Sequence, residues 1–271
     1  MNELLLFAGL VVLTMAFFSW GHPLLRRLGI LCLVATTFAA GYLLSGKVWV
    51  GVVAASVWLV LPWIEILVRV RKLRLPLRKQ LQQKGPPSRE AFPQLGELSD
   101  QIEAAGFEHA ADLGWEMDGY RQFLRLFARP GEREEAAITY VEQNQMGFHF
   151  ASITSRAEDG SVYTTWNCPV SSSLKTPPKV HLHRAAPEAP FTALVTEHAT
   201  FLDRSGRSRE ALRPVDPEAV RAAVEGDMEA QMRHNLHEGL LQPADEGHSR
   251  YSWRGMLYLW GQFLRDIFRF S

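Results

Sequence analysis

The placement of apolar residues constrains this chain most. Three long uncharged or nearly uncharged runs, Leu4–Trp20, Leu28–Leu44 and Val48–Val68, fall before Val70, and charge is spread along the chain from Arg71 onward. A helix needs roughly 20 apolar residues to cross about 30 Å of hydrocarbon. Inside hydrocarbon every backbone amide must be bonded within its own segment, so each run is expected to be a helix. The first run, at 17 residues, is at the short end for a span. It differs from a signal peptide: Glu3 precedes it without a Lys or Arg, and two more apolar runs follow. Retention as a membrane helix is therefore expected, giving a transmembrane region over residues 1–70 with spans at about 4–20, 28–44 and 48–68. Trp20, Trp49 and Trp63 sit where membrane–water interfaces should fall. The small residues Ala35, Ala39, Gly51 and Ala55 are spaced to let helices approach closely.

Orientation follows from the loops, because basic loops stay cytoplasmic. Arg26 and Arg27 lie between the first and second runs, Lys47 alone lies between the second and third, and a basic stretch follows the third. Both basic segments fall on one side. The expectation is an inner-membrane, multi-pass chain with its N-terminus outside and its C-terminal domain cytoplasmic. Residues 71–90 read as a basic juxtamembrane linker, with Arg71, Lys72, Arg74, Arg78 and Lys79 at the inner lipid surface. The one charge within a run is Glu65. An intramembrane carboxylate raises the idea of a proton or ion site, but Arg69 stands one helical turn away and can pair with it.

Between Ala91 and His248 there are 25 Asp and Glu against 14 Lys and Arg, a net of −11. Such a domain repels phosphate backbones, which argues against nucleic acid as a partner. Gly85-Pro86-Pro87-Ser88 marks its start, so residues 91–249 are expected to form an acidic cytoplasmic α+β domain. Pro93–Ala105 reads as a helix stopped by Gly106. Four strand-like runs follow, Phe123–Phe127, Ala137–Val141, Phe148–Thr154 and Val162–Trp166, separated by Pro130-Gly131, Asn144–Gly147 and Asp159-Gly160. Short connections imply an antiparallel meander of four strands, with Val180–His183 as a fifth. Two helices can cover it. One runs from Phe191 to a stop at Gly206; the other starts with Asp216 and Pro217 and closes at Gly239.

Residues 250–271 form the most amphipathic stretch. Trp253, Met256, Leu257, Trp260, Phe263, Leu264, Ile267 and Phe268 share one helical face, and Arg254, Gln262, Arg265 and Arg269 share the other. This is the pattern of an interfacial helix, with Trp253, Trp260 and Phe263 entering the headgroup boundary and Arg265 and Arg269 meeting anionic lipid. Packing on the domain or on a partner helix is the other reading.

Candidate chemistry is sparse. His181 and His183 form an H-x-H pair on one strand face, and His149 is the only third ligand suggested by strand order. His198 lies on an apolar helix face, where a buried, bonded histidine is commoner than a base. Cys168 and Cys32 sit in different solvents, which makes a disulfide between them a poor expectation. No P-loop, GxGxxG, GxSxG, HExxH or kinase set occurs. The residues name no cofactor and no enzyme class. The function they suggest is a membrane-anchored cytoplasmic interaction or scaffold module, with the lipid bilayer and a protein as partners, within a larger membrane complex. The alternatives are a membrane-bound hydrolase or metal-dependent enzyme using His181, His183 and His149 or Cys168, and a small oligomeric transporter or channel using Glu65.

Overall fold

The computed structural model describes residues 2–19, 23–117, 119–143 and 146–270, without the side chains of 2–4, 23, 26, 27, 59 and 268–270. Trp20, Asn144 and the side chains of Arg26, Arg27, Phe268 and Arg269 lie outside the described residues. The chain opens with three helices, α1 (Asn2–Ser19), α2 (Pro23–Ser45) and α3 (Val48–Arg69). Within α2, Leu28–Ser45 is long and apolar enough to cross a membrane, a property that a signal sequence near an N-terminus shares; the apolar stretch of α1, Leu5–Ser19, is shorter.

The three helices touch through small and polar residues. At the α2–α3 crossing a Cβ on Gly41 would come within 2.9 Å of the Val50 carbonyl oxygen, and one on Gly51 within 2.8 Å of the Phe38 carbonyl oxygen. Glycine is therefore what lets these backbones meet. The expected Gly51 is at the contact, but its partner is Gly41 rather than Ala35 or Ala39. Thr14 and Thr36 place their hydroxyls 3.2 Å apart between α1 and α2, and Trp58 Nε1 donates to Thr37 Oγ1 at 2.9 Å between α3 and α2. Helix α3 bends by 46° between Val48–Trp58 and Val60–Lys72. Pro62 explains the bend, since its ring crowds the carbonyl of Trp58 and it has no N–H to offer it.

The rest of the chain is α+β. Strands β1 (Leu75–Pro76) and β2 (Gln82–Gln83) come first, then helix α4 (Leu95–Ala104) and strands β3 (Glu108–Met117), β4 (Tyr120–Arg129), β5 (Glu134–Gln143), β6 (Met146–Arg156), β7 (Val162–Trp166) and β8 (Val180–Arg184). Helices α5 (Phe191–Arg204) and α6 (Val220–His237), hairpin strands β9 (Leu241–Asp245) and β10 (His248–Tyr251), and helix α7 (Trp253–Phe270) complete it. One sheet has seven strands in the order β2-β3-β4-β5-β6-β7-β8, and a second has three in the order β1-β10-β9.

The expected meander of four or five antiparallel strands is thus corrected to a seven-stranded sheet. Strand β3 escaped the sequence reading because its run, Glu-His-Ala-Ala-Asp-Leu-Gly-Trp-Glu-Met, has no β-branched residue and three acids; pairing with β4 along its length makes it a strand. Strand β8 does occur, but it pairs parallel to β7, with Tyr163 opposite His181 and Thr165 opposite His183. The connection from 167 to 179 is long enough for a crossover, which a short hairpin loop is not. Residues 71–90 supply β1 and β2 to the two sheets, and between them Leu81 is fully buried.

Strand alternation gives the large sheet two different faces. Phe123, Phe127, Ile138, Tyr140 and Ile153 point to one face, under α4 and α5, where Ile102, Phe191 and Leu194 meet them. Leu113, Leu124 and Leu126 point to the other, where Leu81 and Val220 of α6 cover them. A third cluster joins α3 to the domain. Ile66 of α3 is buried with Met232 of α6, Leu241 of β9, Tyr251 of β10 and Met256 of α7, and Trp63, Leu67, Val70 and Trp260 pack around them.

Candidate functional site

The junction where α3 meets the domain gathers most of the residues singled out above. Helix α7 leaves the β10 strand at Ser252, whose hydroxyl accepts the Gly255 N–H at 3.0 Å and caps the first turn. The helix then divides its circumference among several neighbours. Gly255 lies against the Leu240 carbonyl, leaving no room for a side chain. Asp266 accepts the Ser171 N–H at 2.8 Å and its hydroxyl as well, tying the far end of α7 to the loop after β7. Met256 is buried, and Trp260 meets Trp63 of α3 edge-on with ring centroids 6.2 Å apart. Trp253 also approaches Trp63 at 6.2 Å, yet it remains 57% exposed, and Leu257 and Phe263 are similarly open. Exposed Arg254 and Arg265 complete the turn. The helix therefore packs on α3 and on the domain at once, and it leaves a strip of exposed apolar side chains beside the exposed Leu61, Ile64 and Val68 of α3.

The basic stretch divides between the domain and open surface. Arg74 pairs with Asp245, Arg78 with Glu229 at 3.1 Å, and Lys84 with Glu116 at 2.7 Å. Lys79 lies over the Trp115 ring with its ammonium 4.4 Å from the centroid, and burial lowers its pKa. Arg71 stacks over Trp253 at 5.6 Å. Lys72 is exposed. Glu65 and Arg69 pair at 3.5 Å, with side chains 61% and 69% exposed, so the carboxylate is open and already has a cation beside it.

The sheet also carries a polar cluster that the sequence reading missed. Arg156 of β6 is wedged between two carboxylates: Nη1 and Nη2 reach Asp227 of α6 at 2.9 and 2.7 Å, and Nε reaches Glu135 of β5 at 3.1 Å. Burial raises the pKa of Glu135, and the Arg156 charge works against that rise. Thr139, Ser152 and Thr154 add hydroxyls beside it in a cleft of about 150 Å³ under α6. The clue lay in alternation: Glu135, Ala137 and Thr139 share one strand face, as do Ser152, Thr154 and Arg156 on the next. A geometric tie to Asp227 in a distant helix leaves no sequence mark.

The candidate histidines do not converge. His149 stacks on Phe92 at 4.6 Å, His181 on Tyr163 at 4.8 Å, and His183 reaches Glu197 at 2.9 Å while stacking on Phe201. Among the described residues no group of three or more His, Cys, Asp or Glu is placed to hold a metal ion. His198 is the satisfied core histidine expected: Ser155 Oγ lies 3.0 Å from Nε2 and Thr165 Oγ1 3.0 Å from Nδ1, with all three side chains buried. Burial holds its pKa down at about 4, with the Arg129 and His183 charges acting in the same direction. Cys168 is buried and in no disulfide, with Arg184 Nε bonded to its carbonyl at 2.9 Å. No family model, curated protein or solved structure matches the chain.

Proposed function

We propose that this chain is a membrane-anchored cytoplasmic module that holds an acidic α+β domain in a fixed pose beside the bilayer for a protein partner. The observation that carries the reading is the shared core at the junction. Ile66, Leu67 and Val70 at the end of α3 belong to the same cluster as α6, β9, β10 and α7. A domain that needed only tethering would hang from a flexible linker; here the anchor helix is built into the domain. In this reading α1, α2 and α3 all cross the membrane, Arg26 and Arg27 lie with the 69–84 basic stretch on the cytoplasmic side, and the exposed apolar strip of α7 rests in the headgroup region with Arg265 and Arg269 toward anionic lipid. The surface offered to the partner is the part of the sheet beyond α6, where Phe150, Trp166 and exposed Leu182 share one face.

The histidine-based enzyme draws no support from side chains that stack separately, and the transporter rests on a carboxylate that is already paired. Three measurements test the proposal. Carbonate washing of native membranes is expected to leave the chain in the pellet, and protease added to sealed cells is expected to spare residues 91–249. Release by carbonate, or digestion of the domain from outside, refutes it. Crosslinking through a photoreactive residue at Leu182 is expected to give one discrete heteromeric product in those membranes, and its absence removes the partner-facing role of the sheet.

A further inference from the structure

The bend at Pro62 tilts the end of α3 and opens a groove between α3 and α7 of about 680 Å³, within the range of ligand sites. Trp58, Leu61, Ile64 and Val68 line it from α3, and Phe263 and Ile267 from α7. Its walls are apolar except at one end, where Glu65 and Arg69 face it. Arg71 and Lys72 follow Arg69 directly in the chain, both exposed and in no ion pair shown among the described residues, with Arg71 over Trp253, so the stretch from Glu65 to Lys72 holds three cations against one carboxylate.

We propose that this groove holds one acyl chain of an anionic glycerophospholipid, with the phosphate seated at Arg69 and the adjoining Arg71 and Lys72. This assignment rests on the membrane-anchored reading above. Two features select the occupant. Hydrocarbon walls ask for an apolar tail, and the net positive stretch asks for an anionic head. Glu65 takes a role in this arrangement as the internal competitor of the phosphate for Arg69: their 3.5 Å contact is loose and both side chains are exposed, so a phosphate can displace it.

The test uses the full chain purified in detergent, delipidated and reloaded with phosphatidylglycerol or phosphatidylcholine of identical acyl chains, with bound lipid read by native mass spectrometry. One phosphatidylglycerol should be retained at least about fivefold more strongly than phosphatidylcholine, the effect of roughly one interfacial cation. Arg69→Gln should weaken that preference severalfold, Glu65→Gln should strengthen it, and Val68→Trp, which fills the groove, should remove both lipids. Arg69 and Glu65 are exposed, so their variants keep the proposal testable if Val68→Trp fails to fold. Equal retention of both lipids by the native chain, or an unchanged preference in Arg69→Gln, overturns the groove assignment. Carbonate extraction of the same variants separates the two levels: a chain that stays in membranes without selecting phosphatidylglycerol sinks only the groove, whereas a chain that washes off sinks the anchoring as well.

Discussion

Two glycines on α7 should respond to the same substitution with opposite signs. Gly255 and Gly261 both sit within the helix, and replacing either by alanine removes the helix-interior penalty of glycine, a gain of roughly 0.8–1 kcal/mol. At Gly261 nothing lies within 4 Å of the new Cβ, so that gain is the whole expectation. At Gly255 the new Cβ would be driven into the Leu240 carbonyl oxygen, with the carbonyl carbon at 3.0 Å and Tyr251 Cδ1 also at 3.0 Å. Both obstacles are immobile, one being backbone and the other the ring of a buried tyrosine, so α7 itself must withdraw. Overpacking of this kind costs about 1–3 kcal/mol. Withdrawal also loosens the Asp266–Ser171 bonds and the Trp260–Trp63 contact, so the cost belongs at the upper end, and Gly255→Ala should be net destabilising by about 1–2 kcal/mol. For a chain of this size that is a fall of several degrees in Tm, against a rise of about 2 °C for Gly261→Ala. Thermal unfolding of the full chain in detergent, followed by tryptophan fluorescence, reads both. Trypsin cleavage at Arg254 and Arg265 should accelerate only in Gly255→Ala. A Gly255→Ala chain as stable and as protease-resistant as Gly261→Ala would refute the docking of α7 on the Leu240 turn.

The other predictions concern separate parts of the fold. Gly41→Leu should splay α2 from α3, because its Cβ already meets the Val50 carbonyl oxygen at 2.9 Å; a cysteine-pair crosslink across the hairpin should lose most of its yield, and an undiminished yield counts against the close approach. Arg156→Met should destabilise the chain by about 3–5 kcal/mol in denaturant unfolding, since it strands Glu135 in a buried site with no cation. A loss below about 1 kcal/mol would show that the cluster is solvated. His198 gives a pH dependence whose sign is fixed by its pKa of about 4 against 6.5 unfolded. Its contribution is complete above pH 6.5 and is lost as pH falls toward 4, because the unfolded chain takes up the proton first, at up to about 1.4 kcal/mol per pH unit. His198→Gln should flatten that part of the stability curve, and an unchanged slope would point to other groups.

How far the fold was legible depended on which signal each element carried. Helices α1 to α3 and α7 announced themselves through long apolar runs or a strong one-sided pattern, and α4 and α5 through an apolar stripe ending at a glycine, Gly106 and Gly206, each with positive φ. The start of α6 is three residues later than Asp216 and Pro217 suggested. Asp216 caps a turn, accepting the Glu218 N–H at 3.0 Å, and the helix proper begins only at Val220. Strands β4 to β7 were legible because β-branched and aromatic residues alternate between clear turns. Strands β1, β2, β9 and β10 were not, since Leu75-Pro76, Gln82-Gln83 and Leu241–Asp245 carry proline or amide residues that become strands only when a partner from far along the chain pairs with them. The same limit hid the polar cluster: Arg156 and Asp227 are 71 residues apart and meet only because α6 crosses that face of the sheet.

The basic stretch after α3 shows why charge pattern and charge destination differ. Seen along the sequence, seven cations between Arg69 and Lys84 form one apron for anionic lipid. In the structure Arg74, Arg78 and Lys84 instead face carboxylates of the domain, at Asp245, Glu229 and Glu116. Exposed pairs of this kind add little to stability, about 0–1 kcal/mol each. Their effect is on the field. A domain with a net charge of −11 is repelled by an anionic leaflet across roughly a Debye length of 8–10 Å. In the membrane-anchored arrangement proposed above, pairing three of its acids with cations of the stretch after α3 would lower that repulsion. Arg71 and Lys72, which follow α3 directly, are exposed, Arg71 over Trp253, and in that arrangement they would face the lipid. In that arrangement one run of basic residues would serve two neighbours, divided at β1, whose pairing with β10 brings the chain onto the domain.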